Sequence, residues 1–557
     1  MPGLGALQAL VAGLAMIGVL VVVHEFGHYL FARWFGIGAP VFSVGVGPRV
    51  WGFQWRGTDW RLSALPFGGY VRLAGADPFG EEDPDDLVDP DEDFMRKPVW
   101  QRLIVLAAGP VFNLLLPVAL FTLVLMGGEP QPDNVVGLVE PGRGAGTLGF
   151  QPDDVVVAVD GESVSTWLDF LEVLGDRANT GATVSVLRDG QTRTLVVPPG
   201  EIPLGAEGYV DLSALGLFHS HLSSRVGVDD PTSPASRAGI RTGDAIVGVG
   251  PSDIQTWDAL QAGLAGPGPH TLRLKRVEEG AVRDVEVTLA RDPAWTPRPG
   301  DGRVDGYGLV PAVLFVGDVS ASGAAAEAGV RANDRLWSVD GELVQTWSDL
   351  VRLVGRTVDG AAGADARPRA LELVVYRGGA PVRLAFTPVL TREVVMGDVR
   401  WRPVVGVRQF PDVYVDGETV QKYYLPWEAL PRALEESRLV VSQTVQVFAN
   451  LATGELKPAE SLGGPVEIFR VAGEGARRGW FTFARLMGTI SFSIGMMNFL
   501  PVPVLDGGQI LFYAIEGIRG RPLSLELRER VQAVGVLVLV AVMLLVTVMD
   551  VSRWLGG

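Results

Sequence analysis

No cysteine occurs among the 557 residues. That excludes disulfides and cysteine metal sites, and it leaves the redox compartment unread. Histidine is nearly as scarce, at five. Basic residues are missing from the first 23 positions, and no small-residue cleavage site precedes a mature start. The opening segment therefore reads as a retained membrane helix, not a cleaved signal peptide. The net charge of −17 offers no cationic surface to nucleic acid, so no nucleic-acid partner is expected. No base relieves the stretch 77–93, "DPFGEEDPDDLVDPDED", which holds ten acids. Like charges in a block repel, so a solvated loop is expected there, with a partner-binding role as the alternative.

What the chain has in quantity is apolar surface. Hydrophobic residues make up 47%, and mean hydropathy is +0.25. The length suits several domains of roughly 100–200 residues. Four segments, 5–32, 103–127, 481–500 and 531–549, match the ~20 residues a crossing helix needs. The third runs into "PVPVLDGG", where proline, lacking an N–H, should break the helix. Broken backbone at membrane depth holds only when buried in protein or lining a wet cavity. Arg33, Arg49, Arg56, Arg61, Arg72, Arg96, Lys97 and Arg102 lie between spans one and two, and Arg519, Arg521, Arg528 and Arg530 between spans three and four. That pattern puts both segments on the cytoplasmic side, with 128–480 and both termini outside.

A period of ninety runs through the middle. Thr166-Trp167, Thr256-Trp257 and Thr346-Trp347 repeat at that interval, as do Gly149, Gly239 and Gly329, and Asp154, Asp244 and Asp334. Each unit reads as turn, short apolar strand, turn and helix start, with the threonine as N-cap. Alternating segments such as "LELVVY" at 371–376 predict strands. The unit resembles a PDZ domain of the bacterial protease-associated form. PDZ domains accept an extended peptide as an added strand; steric filtering or spacing without a ligand is the competing role. No carboxylate-binding loop stands out in any copy.

"HEFGH" at 24–28 fits H-E-x-x-H. Residues four apart share a helix face, so His24 and His28 can reach one Zn²⁺ while Glu25 flanks its water. Ionisable groups inside a membrane segment are costly and point to function. Catalytic zinc takes three protein ligands and a water. His219 and His221 fall in the outer region and read as surface histidines, and His270 is isolated. Asp506, in "NFLPVPVLDGG" at 498–508, follows the broken span and is the better third candidate. One carboxylate ligand with an ionised Glu25 also brings a dication near neutrality, which lowers its desolvation cost.

H-E-x-x-H in the first span followed by N-x-x-P-x-P-x-L-D-G from Asn498 resembles the site-2 protease family of intramembrane zinc metalloproteases. Within it the chain looks closest to the bacterial regulator-of-sigma-E protease branch. "PFGGYVRLAG" at 66–75, "KPVWQRLIVLAAGPVFN" at 97–113 and "SLGGPVEIFRVAGEGAR" at 461–477 extend the resemblance over nearly the whole chain. Three PDZ-like units, where that branch has one or two, and the acidic insertion are departures.

The resemblance implies a polytopic α-helical membrane protein of about four transmembrane helices with an extracytoplasmic array of α+β PDZ-like domains. The expected division is a membrane half at 1–127, repeats at 134–205, 206–295 and 305–392, a linker and helical region at 393–480, and a second membrane half at 481–557. It implies His24, His28 and Asp506 as zinc ligands and Glu25 as catalytic base. Asn498 would hold substrate backbone, and Gly68, Gly69 and Tyr70 a membrane-dipping hairpin edge. Residues 431–451 would form an amphipathic helix on the outer membrane surface or a packed helix. The implied substrate is a single-span membrane protein such as an anti-sigma factor, in the inner membrane bilayer, trimmed beforehand by an upstream site-1-type protease. Two other readings stand beside it: a membrane-anchored PDZ peptide-binding scaffold without proteolysis, and a zinc transporter or sensor, for which no second set of midplane ligands is evident.

Overall fold

The computed structural model describes residues 2–75, 89–204, 210–266, 268–278, 280–295, 306–358, 363, 365–395, 398–454, 456 and 463–556. Most of the acidic stretch lies outside the described residues. Its end is ordered around Asp93, whose carboxylate accepts the N–H of Met95 at 2.7 Å. The chain forms two compact units: one runs through Glu129 and resumes at Tyr423, and the other comprises Pro130–Val395 and Val399–Lys422. The expected linker at 393–480 is thereby divided, with Val399–Lys422 joined to the repeats.

In the first unit, helix α1 (Pro2–Trp34) leads into strands β1 (Val41–Trp55) and β2 (Thr58–Arg72), then helix α2 (Val99–Gly127). Val41–Val44 pairs both with 59–62 and with 69–72, so the last stretch of β2 is a sheet edge. Ala12, Met16 and Leu20 of α1 share a core with Leu120, Ala472 and Met487. Among the described residues three helices are long and apolar enough to cross a membrane: Leu7–Trp34, Val99–Gly127 and Glu526–Asp550. The third expected span, 481–500, is a helix over Trp480–Asn498 that falls short in hydropathy. Arg485, Thr489, Ser491 and Ser493 dilute it, and Arg485 is paired with Glu129 at 2.7 Å and Glu436 at 2.9 Å. The helix ends at Asn498 and regular structure resumes only at Asp506, as the prolines require. The region expected at 431–451 begins earlier, as a helix over Pro426–Thr453. Ala429 and Ala433 pack on Phe121 and Leu125 of α2, which makes it a packed helix at that end.

The second unit holds three copies of one design. Each is a four-stranded sheet with its two long strands in a hairpin, beside a helix: Trp167–Gly175, Trp257–Gly263 or Trp347–Gly355. Thr166, Thr256 and Thr346 cap these helices as predicted, each hydroxyl accepting an N–H three residues on. The register slips at equivalent points, between Val156 and Ala158, Ile246 and Gly248, and Leu336 and Ser338.

Asp154, Asp244 and Asp334 are almost wholly buried. Each receives a two-pronged guanidinium, from Arg188, Arg276 and Arg377, whose Nη2 also donates to the carbonyl of Gly149, Gly239 or Gly329. A buried carboxylate is tolerated when so satisfied.

Each copy is closed by a returning strand, Leu217–Phe218, Val310–Pro311 or Val407–Arg408, paired to its first strand. A glycine of positive φ stands one or two residues before each: Gly216, Gly308 and Gly406. A side chain there would strike Arg143, Ser233 or Gly323, residues themselves ninety apart.

Candidate metal centre

"VVVHEFGHYL" is helical because it continues the run without polar side chains that starts at Ala9 in α1, and helical spacing stacks His24 under His28. Their Nε2 atoms lie 3.1 Å apart. Asp506 is the first residue of the helix Asp506–Arg519, where the N-terminal dipole favours an anion. Its carboxylate lies 3.0 Å from His24 Nε2 and 3.6 Å from His28 Nε2. Tetrahedral zinc with ligands at about 2.0–2.1 Å sets its donors about 3.3 Å apart, so this donor set fits the ion. It is the one such group among the described residues. The two glycines after Asp506 fit the same purpose: a Cβ on Gly507 would strike the carbonyls of Phe499 and Leu500, and one on Gly508 that of Val502. The loop folds back over the helix start, which carries Asp506 to the histidines.

Helix α2 supplies the surroundings. His28 Nδ1 donates to the Val105 carbonyl at 2.8 Å, which leaves Nε2 free to ligate. Gly109 makes room for that ring, since a Cβ there would collide with it. Asn113 Nδ2 lies 3.3 Å from His24 Nδ1, and Asn498 Nδ2 lies 3.5 Å from the same atom.

Glu25 Oε2 accepts the Val71 N–H of the β2 edge at 2.9 Å. A cavity of about 230 Å³ opens beside it, lined by His24, Glu25, Gly68, Gly69, Asn113 and Asn498, with apolar walls. The structure thus brings His24, Glu25, His28, Asp506, Asn498, Gly68 and Gly69 together. Tyr70 is not among the cavity residues; its hydroxyl accepts from Arg61. Strand alternation turns it away from its glycine neighbour. Asn113, Gly109 and the Val105 carbonyl are participants the motifs did not single out. Besides its place at the end of "KPVWQRLIVLAAGPVFN", the signal for Asn113 is a lone amide in the apolar run "AAGPVFNLLLP". His219 is tied to Asp133 at 2.8 Å.

The family model of Peptidase family M50 matches residues 12–542. The regulator of sigma-E protease RseP of Salmonella typhimurium is 28% identical over 554 residues, covering 99% of this chain and all of the relative. Its namesake in Escherichia coli is 27% identical over 561 residues, covering 99% of this chain and all of the relative. A Vibrio cholerae protein provisionally named a zinc metalloprotease is 25% identical over 553 residues, 98% of each chain.

Proposed function

The chain belongs to peptidase family M50, the site-2 zinc metalloproteases, and from that premise we propose that it cuts single-span membrane proteins within their transmembrane segments. The observation that carries this is the donor triangle of His24, His28 and Asp506 beside Glu25, opening onto a cavity walled by a sheet edge.

His24, His28 and Asp506 would hold zinc. When bound, zinc supplies a nucleophile at neutral pH and Lewis-acid polarisation of the scissile carbonyl. Glu25 takes the proton of the attacking water and delivers it to the leaving amine. The Val71 N–H fixes one oxygen of that carboxylate, so the other faces the cavity. A transmembrane helix keeps its carbonyls hydrogen-bonded internally and must unwind to be cut. Gly68 and Gly69 on the β2 edge, with the Asn498 amide, would take up the released backbone groups. The absence of a side chain on Gly69 lets this edge lie close beside Glu25, since a Cβ there would strike Val21 and the Ser43 carbonyl.

The three repeats are read as PDZ domains on the outer side of the inner membrane. They admit substrates, anti-sigma factors among them, once an upstream protease has trimmed the outer domain. In the first repeat a cavity of about 330 Å³ is lined by Trp167, Leu171, Leu217 and Phe218, which supports capture of an extended peptide.

The test is a library of tagged single-span proteins expressed with wild type or Glu25→Gln. Fragments cut within the span should appear with wild type alone, while the variant keeps its zinc. Cleavage near the wild-type rate in Glu25→Gln would remove Glu25 as the base, and no fragments with either would favour a scaffold.

A further inference from the structure

Asn113 is 1% exposed and lies mid-way along α2, between Pro110 and Pro117. Its backbone is fixed from both sides. Pro117 has no N–H to give to the carbonyl four residues back, which is that of Asn113. Ser491 Oγ donates to that carbonyl instead, at 2.7 Å. Gly495 lets the neighbouring helix close in, since a Cβ there would come within 3.2 Å of Asn113 Cβ. The amide so held meets His24 Nδ1 at 3.3 Å. Its Oδ1 is buried and takes no hydrogen bond from any described residue.

Those facts conflict with a ligating His24 in one respect. An imidazole that gives its Nε2 lone pair to a metal carries its proton on Nδ1, and that proton needs an acceptor. As placed, Asn113 turns a donor toward Nδ1 and leaves its acceptor unused. A half-turn of the terminal amide exchanges the two. It pairs Oδ1 with Nδ1–H and removes a buried unsatisfied acceptor, which is costly to leave unpaired.

We propose that Asn113 is a positioning residue that accepts the Nδ1 proton of His24 through Oδ1 and so fixes the tautomer whose Nε2 faces the metal. This rests on the reading of His24, His28 and Asp506 as the zinc site. Asn498 is the weaker partner for Nδ1: its amide is farther off, and it stands where substrate backbone would claim it. His28 has the Val105 carbonyl for the same task, so each histidine has its own acceptor on α2.

The experiment uses the full chain in detergent, dialysed against graded chelator and followed by metal analysis. Asn113→Leu keeps the size and removes the acceptor, while Asn113→Asp keeps an acceptor. Asn113→Leu should lose zinc about 10–100-fold more readily than wild type, the usual effect of removing a residue that orients a ligand. Asn113→Asp should stay close to wild type. In the cobalt-loaded forms the ligand-field spectrum should change in Asn113→Leu and be restored in Asn113→Asp. Equal melting of the zinc-free proteins will show that the fold is retained. Zinc retention in Asn113→Leu equal to wild type would overturn the proposal, and so would equal loss in both variants. A wild-type chain without zinc would overturn the underlying site and this role with it.

Discussion

Ser491 Oγ donates 2.7 Å to the main-chain carbonyl of Asn113, a bond between two helices 378 residues apart in sequence. It is available because Pro117 leaves that carbonyl without its intrahelical partner. Ser491→Ala should therefore strand a buried acceptor and lower stability by roughly 1–3 kcal/mol. In a Pro117→Ala background the helix regains the N–H, and the same serine substitution should cost much less. Thermal melting of the four proteins in one detergent gives the coupling. Equal costs in both backgrounds would show that the proline has no part in it.

Asp506 is the only anion in the donor triangle. Asp506→Asn should weaken zinc retention by more than the ~10–100-fold expected for residues that merely orient a ligand. Metal analysis after chelator dialysis reads this directly. Zinc unchanged in that variant would take Asp506 out of the site.

In the second repeat Arg276 is the one guanidinium on Asp244 among the described residues, and Asp244 is 1% exposed. Arg276→Met leaves that carboxylate buried and unpaired, at a cost of about 3–5 kcal/mol. Removing both charges, as Asp244→Leu with Arg276→Met, should recover part of the loss. Limited proteolysis of the full chain, with cleavage sites mapped to 226–311, distinguishes the variants. A double variant as labile as the single one would contradict the account.

Lys422 Nζ meets Asp169 Oδ2 at 3.0 Å. Burial pushes the Asp169 carboxyl up, but hydrogen bonds from Lys422 and Ser165 outweigh it and hold the group below its ordinary value. A lowered carboxyl stabilises the fold above its unfolded pKa, about 3.9, and that contribution fades as pH falls through the lower folded value. Lys422→Met should therefore melt below wild type at neutral pH, with the gap narrowing below about pH 4. A gap that stays constant with pH would mean the lysine acts through packing alone.

Reporter fusions after Asp93 should read as cytoplasmic and fusions within 130–422 as exported, following the distribution of Arg and Lys around the spans. Export of the Asp93 fusion would invert the arrangement.

The parts of the site visible in the sequence are those held by local spacing. His24, Glu25 and His28 share one helix face, and Asp506 follows a proline break, so short motifs record both. Asn113, Gly109 and Ser491 act across helices, and in the sequence they are ordinary small or polar residues inside apolar runs. The repeats were legible because a ninety-residue period copies whole strands and caps. Their closing strands were not: the signal is a single glycine before an apolar residue, and its meaning depends on a partner some eighty residues away. The weak third span has a similar cause. Hydropathy counts Arg485 as an exposed cation, whereas the fold supplies two glutamates to neutralise it. The Pro426–Thr453 helix was ambiguous because an amphipathic period looks alike whether its apolar side meets lipid or protein.

The strand Glu129–Pro132 that leads into the repeats pairs with Thr419–Lys422, the strand that leads out of them. Asp133 N–H likewise reaches the Glu418 carbonyl at 3.0 Å. Entry and exit are therefore neighbours, so a ninety-residue unit could be gained or lost between them without changing the distance the chain must bridge. Every residue of the metal centre lies before 130 or after 422. The count of modules is thus free to drift by duplication or deletion without changing any residue of the candidate metal site.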